Sequence, residues 1–543
     1  MAEKEFNLLH EPWIKVMMLD GSVQEISLTD VFYKAPQIKK LAGELPAQDV
    51  AVFRLILAVL YATYATNNAE NRTEAIEKWG ELWEQGSFEA DAIAEYLEEY
   101  EERFWLFHPS APFYQVADIE DAMRGYKESK GKKVKDEEKL KTVARLIGEL
   151  CQSDNQKRLF PNRTGLQQET LSYNEAARWL LYLNGFDDDS AKMPTPKGVG
   201  YLGQLGLVYA EGKNLFETLM LNFVLLYNES WTFDDYKEDA MAYWEKPVES
   251  YSENNYIERS IAQPNAQKDL LTLQSRRILL KRKNGVVVGY LLTMGDYIEK
   301  DGNWINEQMT LWQKEKNGNS FVPKRHRKER QLWRDFASLI SGDEANGRNS
   351  GVVEWLRFLQ KEKLLTDEHI TISIAGVCYK LKGAGWQVVD FVDDSLEMNR
   401  QILSSDLKGW VNEIINVLND TEEMVKLLAR FAVKLVDAGG NKGDNLKDAE
   451  KKAAYDAVAT NAYYKLDQLF RHWLYEIDPG KDDMMDKKVE WKKIAKNLIL
   501  SEGEDMLAEA GNRTLFGYVN KGGSGNNGFI AFAQFAKALN KLA

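Results

Sequence analysis

Cysteine and histidine are scarce in this 543-residue sequence, which has two of the former and five of the latter. Cys151 and Cys378 are too few for a four-cysteine zinc site, and so low a count fits a reducing compartment such as the cytoplasm. Five scattered histidines leave little material for a histidine-based metal centre. No run of about eighteen or more apolar residues is present. The sequence therefore predicts no metal, no other cofactor and no membrane span.

The sequence also lacks the positive charge of a typical nucleic-acid-binding protein. Its net charge is −14, whereas a protein that binds nucleic acid by itself usually carries an excess of cations. The lysines and arginines are nevertheless clustered, at 276–283, 324–330 and 127–141. We expect such an acidic chain to touch a nucleic acid at a few basic points while protein partners hold it in place. For the first two clusters, the alternative is a set of solvated surface charges.

Sequence motifs of common catalytic sites are missing as well. There is no GxSxG nucleophile elbow, no HExxH zinc motif and no GxxxxGK[ST] phosphate-binding loop. The acidic runs Asp187–Asp189 and Asp393–Asp394 would suit a two-metal nuclease if they converged with other carboxylates. Neither run is near a histidine in the sequence, and we expect the first to end a helix in a solvated loop. The sequence favours a non-catalytic protein, with a metal-dependent nuclease as the alternative.

One glycine motif is present in KGVGYLGQLG, where Gly198, Gly200 and Gly203 spell GxGxxG. A dinucleotide site needs a strand before the first glycine and a helix directly after the third. Here two prolines precede the motif and strand-like residues follow it, so the pattern does not indicate a dinucleotide site. A plain surface loop remains possible. The other possibility is a loop whose exposed backbone N–H groups press against a nucleic-acid groove, since glycine has no Cβ to clash there.

The hydrophobic pattern predicts an α+β fold in two parts. Residues 1–394 mix strand and helix patterns and form a large mixed domain, which includes a strand over 370–380. From residue 395 to 543 the pattern is helical. Long amphipathic helices joined by short connectors predict an antiparallel four-helix bundle in this second part. Its predicted helices are 396–418, 421–438, 444–477, 487–510 and 527–542.

Three local signals place individual elements in the first part. A strongly apolar stretch over 46–67 predicts a helix at the centre of the first core. Ser172 and Glu175 have the spacing of a capping box, which predicts that a helix starts at about residue 173. Asn284-Gly285 lies between alternating residues and predicts a hairpin turn.

Five sequence blocks, spread over nearly the whole chain, share the pattern of one known family. They are FNLLHEPWIKVMMLDGSVQEISLTDVF, EAARWLLYLNGFDDD, GYLGQLGLVYAEGKNLFETLMLN, DLLTLQSRRILL and VVDFVDDSLEMNR. In this order they resemble the CasA family, the large subunits of Cascade, the CRISPR surveillance complex of type I-E. The helical C-terminus also resembles the four-helix bundle of that family.

The resemblance implies a role in recognising DNA. In such complexes, pairing with guide RNA reads most of the target, and protein reads only a short flanking element of the duplex, the PAM, as in the single-protein effectors. The resemblance implies that this subunit inspects the PAM from the minor groove, helps to open the duplex and presents a surface to a helicase-nuclease. The implied partners are CRISPR RNA, double-stranded target DNA, the other Cascade subunits and that helicase-nuclease, in the cytoplasm.

The resemblance assigns the PAM contacts to two loops. A glycine loop corresponds to Lys197-Gly198-Val199-Gly200, or to residues slightly earlier, in register with the GYLGQLG block. A lysine finger follows SRRILL in the family and corresponds here to Lys300, with Asn303 as an alternative in the same turn. A lone lysine at this place would otherwise be a solvated turn residue.

A wedge and an RNA-facing loop complete the implied interface. The wedge corresponds to the loop 381–387, where Trp386 and Gln387 are the side chains able to intrude between base pairs. The alternative for Trp386 is packing in the core. The loop at Phe160-Pro161-Asn162 corresponds to a family loop near the guide-RNA 5′ handle and the backbone subunits, where Phe160 would stack on a base. The alternative for Phe160 is a hydrophobic residue that becomes ordered only when partners are present. For this hypothesis to hold, the glycine loop, the finger and the wedge must converge on one DNA groove.

Overall fold

The chain divides into two compact units, each built from several segments. Unit 1 comprises Met1–Lys328, Gly342–Leu364 and Thr371–Ser395, and unit 2 comprises Glu329–Ser341, Leu365–Ile370 and Leu396–Ala543. The predicted α+β class is confirmed, whereas the domain division after residue 394 stays a prediction. The structure is a computed structural model that describes residues 4–64, 72–131, 140–148, 151–153, 156–157, 163–188, 198–227, 230–231, 240–248, 259–261, 264, 266–298, 306–315, 321–340, 348–382, 385–439, 448–519 and 525–542.

Helices occur in both units. The α-helices are α1 (Leu28–Lys34), α2 (Pro46–Tyr64), α3 (Arg72–Gln85), α4 (Ala90–Glu98), α5 (Ile119–Ser129), α6 (Val143–Leu146), α7 (Tyr173–Phe186), α8 (Leu215–Asn222), α9 (Gln267–Leu271), α10 (Phe336–Ile340), α11 (Gly351–Lys361), α12 (Lys408–Gly439), α13 (Asp448–Tyr475), α14 (Met484–Ala508), α15 (Asn512–Phe516) and α16 (Gly528–Leu542). The capping box of Ser172 and Glu175 is present at the start of α7, as predicted.

Most strands are short and belong to small sheets of two or three strands. They are β1 (Glu5–Asn7), β2 (Ile14–Met18), β3 (Val23–Ile26), β4 (Ile38–Leu41), β5 (Trp105–Phe107), β6 (Lys141–Thr142), β7 (Cys151–Ser153), β8 (Gln156–Lys157), β9 (Val208–Glu211), β10 (Leu226–Tyr227), β11 (Ser230–Trp231), β12 (Arg259–Ile261), β13 (Arg276–Lys283), β14 (Val286–Met294), β15 (Asp296–Ile298), β16 (Trp312–Lys314), β17 (Phe321–Pro323), β18 (His369–Lys382), β19 (Gly385–Asn399), β20 (Tyr518–Val519) and β21 (Gly525–Asn526).

Helix α2 lies in the core of unit 1. It is buried on all sides from Val50 to Ala62, as expected for a helix whose apolar residues cover its whole circumference. By length and composition alone it could cross a membrane, but 83% of its apolar window is buried inside the protein, as in a core helix. The predicted helix over 46–67 is confirmed as far as Tyr64, and residues 65–67 lie outside the described part of the chain.

Two antiparallel hairpins of unit 1 contain residues of the predicted DNA interface. Strands β13 and β14 are joined at Asn284-Gly285, whose φ angles of 54° and 76° are those of the predicted two-residue turn. Strands β18 and β19 form a longer sheet with β9, in the order β19-β18-β9. Thr371 to Ile374 of β18 pair with Glu211 to Val208 of β9. The predicted strand over 370–380 is thereby confirmed.

Helices α12, α13, α14 and α16 of unit 2 form the predicted antiparallel four-helix bundle. Contacts between the end of one helix and the start of another show that the two helices of each pair run in opposite directions. These are the Asp437–Lys451 ion pair at 3.7 Å, the hydrogen bond from the Trp473 indole to the Lys487 carbonyl at 3.0 Å, and that from the Lys492 ammonium to the Leu542 carbonyl at 3.0 Å.

The two helices predicted over 396–418 and 421–438 are wrong, because the structure has a strand end followed by one helix. Strand β19 continues to Asn399, short 3-10 turns follow, and α12 then runs unbroken from Lys408 to Gly439. Polar residues around 420 do not interrupt the helix, since the Thr421 hydroxyl donates to the Val417 carbonyl at 2.7 Å within it. The apolar stripe continues past this point.

Candidate nucleic-acid interface

The glycine segment, residues 198–204, packs against the C-terminal end of α7. The Gly200 N–H donates to the Asp187 carbonyl at 2.8 Å. A Cβ on Gly200 would overlap the Gly185 carbonyl oxygen. Glycine is required here because two backbones approach each other closely. The segment is thus fixed to the fold through its main chain.

The glycine segment exposes less main chain than the predicted loop needs. Gly198 has a φ of 105°, a conformation that favours glycine, and is half-buried. Val199 is only 3% exposed, and Gly200 is buried. Lys197 lies outside the described residues. Contact between this segment and DNA stays a prediction, and among the described residues of the predicted loop 197–200 Gly198 has the accessible surface.

The structure agrees with the rejection of a dinucleotide site. Gly203 lies inside a 3-10 turn, Leu202–Gln204; strand β9 follows, and α8 begins only at Leu215. No helix N-terminus therefore lies at the glycines within the described residues to receive a pyrophosphate.

A buried ion pair supports the glycine segment. The Arg54 guanidinium donates two hydrogen bonds to the Glu307 carboxylate, at 2.9 and 3.0 Å, and both side chains are 1% exposed. The Tyr201 hydroxyl donates to the same carboxylate at 2.8 Å. Burial disfavours the charged guanidinium, but Glu307 outweighs this effect and raises the pKa of Arg54. For Tyr201, in contrast, burial itself raises the pKa, so this hydroxyl stays protonated as a donor.

A second buried arginine holds the start of the segment. Arg276 donates to the Asp187 carboxylate at 2.6 Å and to the Gly198 carbonyl at 2.9 Å. Its neighbour Arg277 pairs with Asp296, and both arginines are 2% exposed. For these two members of the 276–283 cluster, the predicted phosphate contacts and the solvated alternative are both wrong, because each guanidinium is buried against a carboxylate.

The described residues of the two acidic runs are not arranged as a metal site. Asp187 is 5% exposed and pairs with Arg276, so its expected position in a solvated loop is wrong. Asp188 pairs with Arg145 at 3.2 Å, and Asp189 lies outside the described residues. Burial raises the pKa of Asp393. Within the part of the chain that the structure describes, no group of three or more His, Cys, Asp or Glu side chains is placed to hold a metal ion.

The β18–β19 hairpin carries the predicted wedge near its tip. Trp386 is 40% exposed, so the alternative in which it packs in the core is wrong. Gln387 is half-buried. Leu381, on the other strand, is also exposed. Intrusion of Trp386 or Gln387 between base pairs stays a prediction, and Trp386 has the larger accessible surface.

Tyr379 joins this hairpin to the glycine segment. Its hydroxyl donates to the Phe186 carbonyl at the end of α7, at 2.7 Å. The same hydroxyl fills the space that a Cβ on Gly203 would need. Burial raises the pKa of Tyr379 well above its usual value, so it remains a donor. Two of the three predicted contact elements therefore lie together, and the third, Lys300 with its alternative Asn303, lies outside the described residues.

A basic strip, residues 324–328, runs beside these elements. The Lys324 N–H donates to the Leu311 carbonyl at 2.8 Å, and a Cβ on Gly206 would overlap the Lys324 carbonyl. This packing brings Arg325 to Trp386, with the guanidinium carbon 6.0 Å from the centre of the indole. The candidate interface thus combines a cation, an exposed aromatic ring and close-packed glycine backbone.

The family model for the CRISPR-associated protein Cse1 matches residues 7–501 of this chain. The chain belongs to the Cse1 family, also called CasA. The family expected from the sequence blocks is confirmed. One relative, the CRISPR-associated protein CasA/Cse1 of Thermus thermophilus, is 26% identical over 491 residues, which is 88% of each chain.

Solved structures of the Cse1 family share the fold over almost the full length. The crystal structure of Thermobifida fusca Cse1 has a TM-score of 0.78 and 28% identity, and the match covers 99% of this chain and 98% of that one. A chain of a CRISPR RNA-guided surveillance complex has a TM-score of 0.72 and 15% identity, over 99% of this chain and 100% of that one. At that identity the second likeness shows the fold alone.

Sequence reasoning did not single out Arg325 of this Cse1-family chain. It lies in the noted 324–330 cluster, but nothing in the pattern pairs it with Trp386, since the two belong to different strands or loops. Tyr379 falls within the predicted strand over 370–380, and that pattern does not indicate its contact with the glycine segment. The RNA-facing loop at Phe160-Pro161-Asn162 lies outside the described residues and stays a prediction.

Proposed function

We propose that this chain is the subunit of a type I-E Cascade complex that recognises the PAM and opens the target duplex. The observation that carries the proposal is the Tyr379 contact, because it holds the wedge hairpin against the glycine segment. Both elements then act on one stretch of DNA. The exposed Trp386 and the basic strip give this surface an intruding side chain and positive charge.

The proposal includes the partners of the complex. A chain of the same fold belongs to a CRISPR RNA-guided surveillance complex, and we extend to this chain CRISPR RNA and the other Cascade subunits as partners. Double-stranded target DNA and the recruited helicase-nuclease complete the set, in the cytoplasm. The chain itself is non-catalytic in this proposal. The alternative, a metal-dependent nuclease, gains no support from Asp187 and Asp188, since both are ion-paired with arginines.

The net charge of −14 shapes how the chain would work. Long-range repulsion from phosphates opposes binding by the free subunit, and only local cations favour it. We therefore place the recognition step in the assembled complex, where guide-RNA pairing and the other subunits contribute most of the affinity. The subunit then needs to add only the preference for one flanking sequence over another.

The test is a binding measurement on the reconstituted complex with a library of flanking sequences. The complete complex should prefer a subset of these sequences, and the complex without this subunit should lose that preference. Lys300→Ala should weaken binding to preferred targets by about 1–3 kcal/mol if Lys300 contacts a base edge. Lys361→Ala, at an exposed lysine that ends α11, is the matched control.

An equal preference with and without the subunit would overturn the proposed function. Full affinity of the Lys300→Ala complex would instead remove only the lysine finger from it. Because the two results are measured on the same library, they separate the role of the subunit from the role of one residue.

A further inference from the structure

Arg325 is an arginine without a counter-ion among the described residues. Its side chain reaches the surface of unit 1, yet neighbouring atoms crowd the guanidinium. Burial lowers the pKa of Arg325, and no carboxylate of the described residues offsets that effect. Within the part of the chain that the structure describes, Arg325 forms no ion pair, and the ring of Trp386 lies near its guanidinium.

Four buried arginines of unit 1 differ from Arg325 in this respect. Each of four guanidinium groups is held against a carboxylate. These pairs are Arg54 with Glu307, Arg178 with Glu44, Arg276 with Asp187, and Arg277 with Asp296. Arg325 is exposed and has no such carboxylate among the described residues, so its guanidinium can still pair with an anion that arrives from outside.

The aromatic partner of Arg325 is left accessible. The guanidinium carbon is 6.0 Å from the Trp386 ring centre, whereas Arg334 of unit 2 lies 3.4 Å from the Tyr463 ring centre. Direct contact between stacked groups occurs at about 3.5–4.0 Å. Arg325 is therefore close enough to attract the indole but does not cover it. A flat ligand can reach the ring, which is 40% exposed.

The two side chains suit the two halves of a nucleotide. An indole stacks on any base, since every base has a flat face, and a guanidinium offers a planar pair of donors that matches a phosphate. In a paired duplex both faces of a base are covered by its neighbours, so the base must first leave the stack. We propose that Arg325 and Trp386 form a clamp for one unpaired nucleotide of the opened target DNA, with Trp386 stacked on its base and Arg325 on its phosphate.

This clamp rests on the proposed function and adds Arg325 to it. The test uses the reconstituted complex and a target with the fluorescent base 2-aminopurine placed in turn at each position beside the PAM. Stacking on Trp386 should quench the fluorescence at one position in the wild-type complex. Trp386→Ala should remove the quenching and weaken target binding about 10-fold, and Trp386→Phe should restore most of both.

The arginine is tested through the salt dependence of binding. Arg325→Gln should weaken binding about 5-fold and make the slope of log K against log salt shallower by about 0.9, the value for one lost phosphate contact. Arg124→Gln removes a guanidinium from an exposed position of α5 and is the matched control. It should leave the quenching, the affinity and the salt slope of the wild-type complex unchanged.

Each outcome decides between the clamp and the proposed function. If the wild-type complex shows no preference among flanking sequences, the proposed function fails. If that preference is present but Arg325→Gln and Trp386→Ala keep wild-type affinity, slope and quenching, the clamp is wrong and the proposed function stands. If the variants impair assembly on CRISPR RNA instead of DNA binding, the clamped nucleotide is RNA and the assignment to DNA is overturned.

Discussion

Arg54 and Arg325 lie in the same unit, and the fold gives them opposite surroundings. Arg54 is buried, makes two hydrogen bonds to Glu307 and shares that carboxylate with Tyr201. Arg325 is exposed, has no carboxylate partner among the described residues and lies beside the open face of Trp386. A charge that is already paired with a counter-ion in the protein can only stabilise or position other groups. A charge without such a counter-ion can still bind a ligand.

Tyr379 links the region around Arg54 to the region around Arg325. Its hydroxyl is fixed to the Phe186 carbonyl beside the glycine segment, and the hairpin that carries it continues to Trp386. The region around Arg54 thus provides a rigid base, and the region around Arg325 and Trp386 extends from it. A binding surface benefits from such a base because its side chains are then held in place before the ligand arrives.

The largest expected effect comes from removing the buried arginine. Arg54→Met should lower the free energy of unfolding by about 3–5 kcal/mol, because it leaves the Glu307 carboxylate buried without its cation. Denaturant titration followed by tryptophan fluorescence measures this loss. The double variant Arg54→Met/Glu307→Met should recover most of it, since neither charge is then left alone. A loss below about 1 kcal/mol in the single variant would remove the contrast with Arg325.

A smaller effect is expected at the close approach of two backbones. Gly200→Ala should destabilise the protein by about 1–3 kcal/mol, because the new methyl group would overlap the Gly185 carbonyl oxygen and force the segment to shift. Gly80→Ala in α3 is the control, since a Cβ there would meet no atom within 4 Å. Alanine should stabilise that helix by up to about 1 kcal/mol. Equal melting temperatures for the two variants would show that the glycine segment is not held rigidly.

The smallest expected effect on the stability of the protein comes from substitutions at Arg325 and Trp386. Arg325→Gln and Trp386→Ala should each change the free energy of unfolding by no more than about 0.5 kcal/mol, because both side chains are exposed. The same denaturant titration applies. A loss comparable to that of Arg54→Met would mean that these two residues serve the fold, and the distinction between the two regions would fail.

Features that depend on neighbours in the sequence were predictable. The capping box at Ser172 and Glu175 starts α7 where expected, and Asn284-Gly285 turns the β13–β14 hairpin. Helix α2 was identified by its apolar composition. These signals are local because hydrogen bonds within a cap or a turn join residues only a few positions apart.

Features that depend on distant partners were not predictable from one sequence. Arg276 and Arg277 looked like surface cations until the fold brought Asp187 and Asp296 to them. The pairing of Arg325 with Trp386 is of the same kind. The sequence shows the type and the charge of each residue. Whether a guanidinium has a carboxylate partner depends on side chains that only the tertiary structure brings near.

The partners of α2 have a consequence for the synthesis of the chain. Arg54 in this helix pairs with Glu307, a residue 253 positions later, and the Tyr61 hydroxyl donates to the Val224 carbonyl, 163 positions later. At about 5–20 residues per second, the ribosome needs on the order of 13–50 s after Arg54 to deliver Glu307. During that interval Arg54 has no carboxylate from Glu307, and α2 can be covered only step by step, as its packing partners α4, α7 and α9 are synthesised.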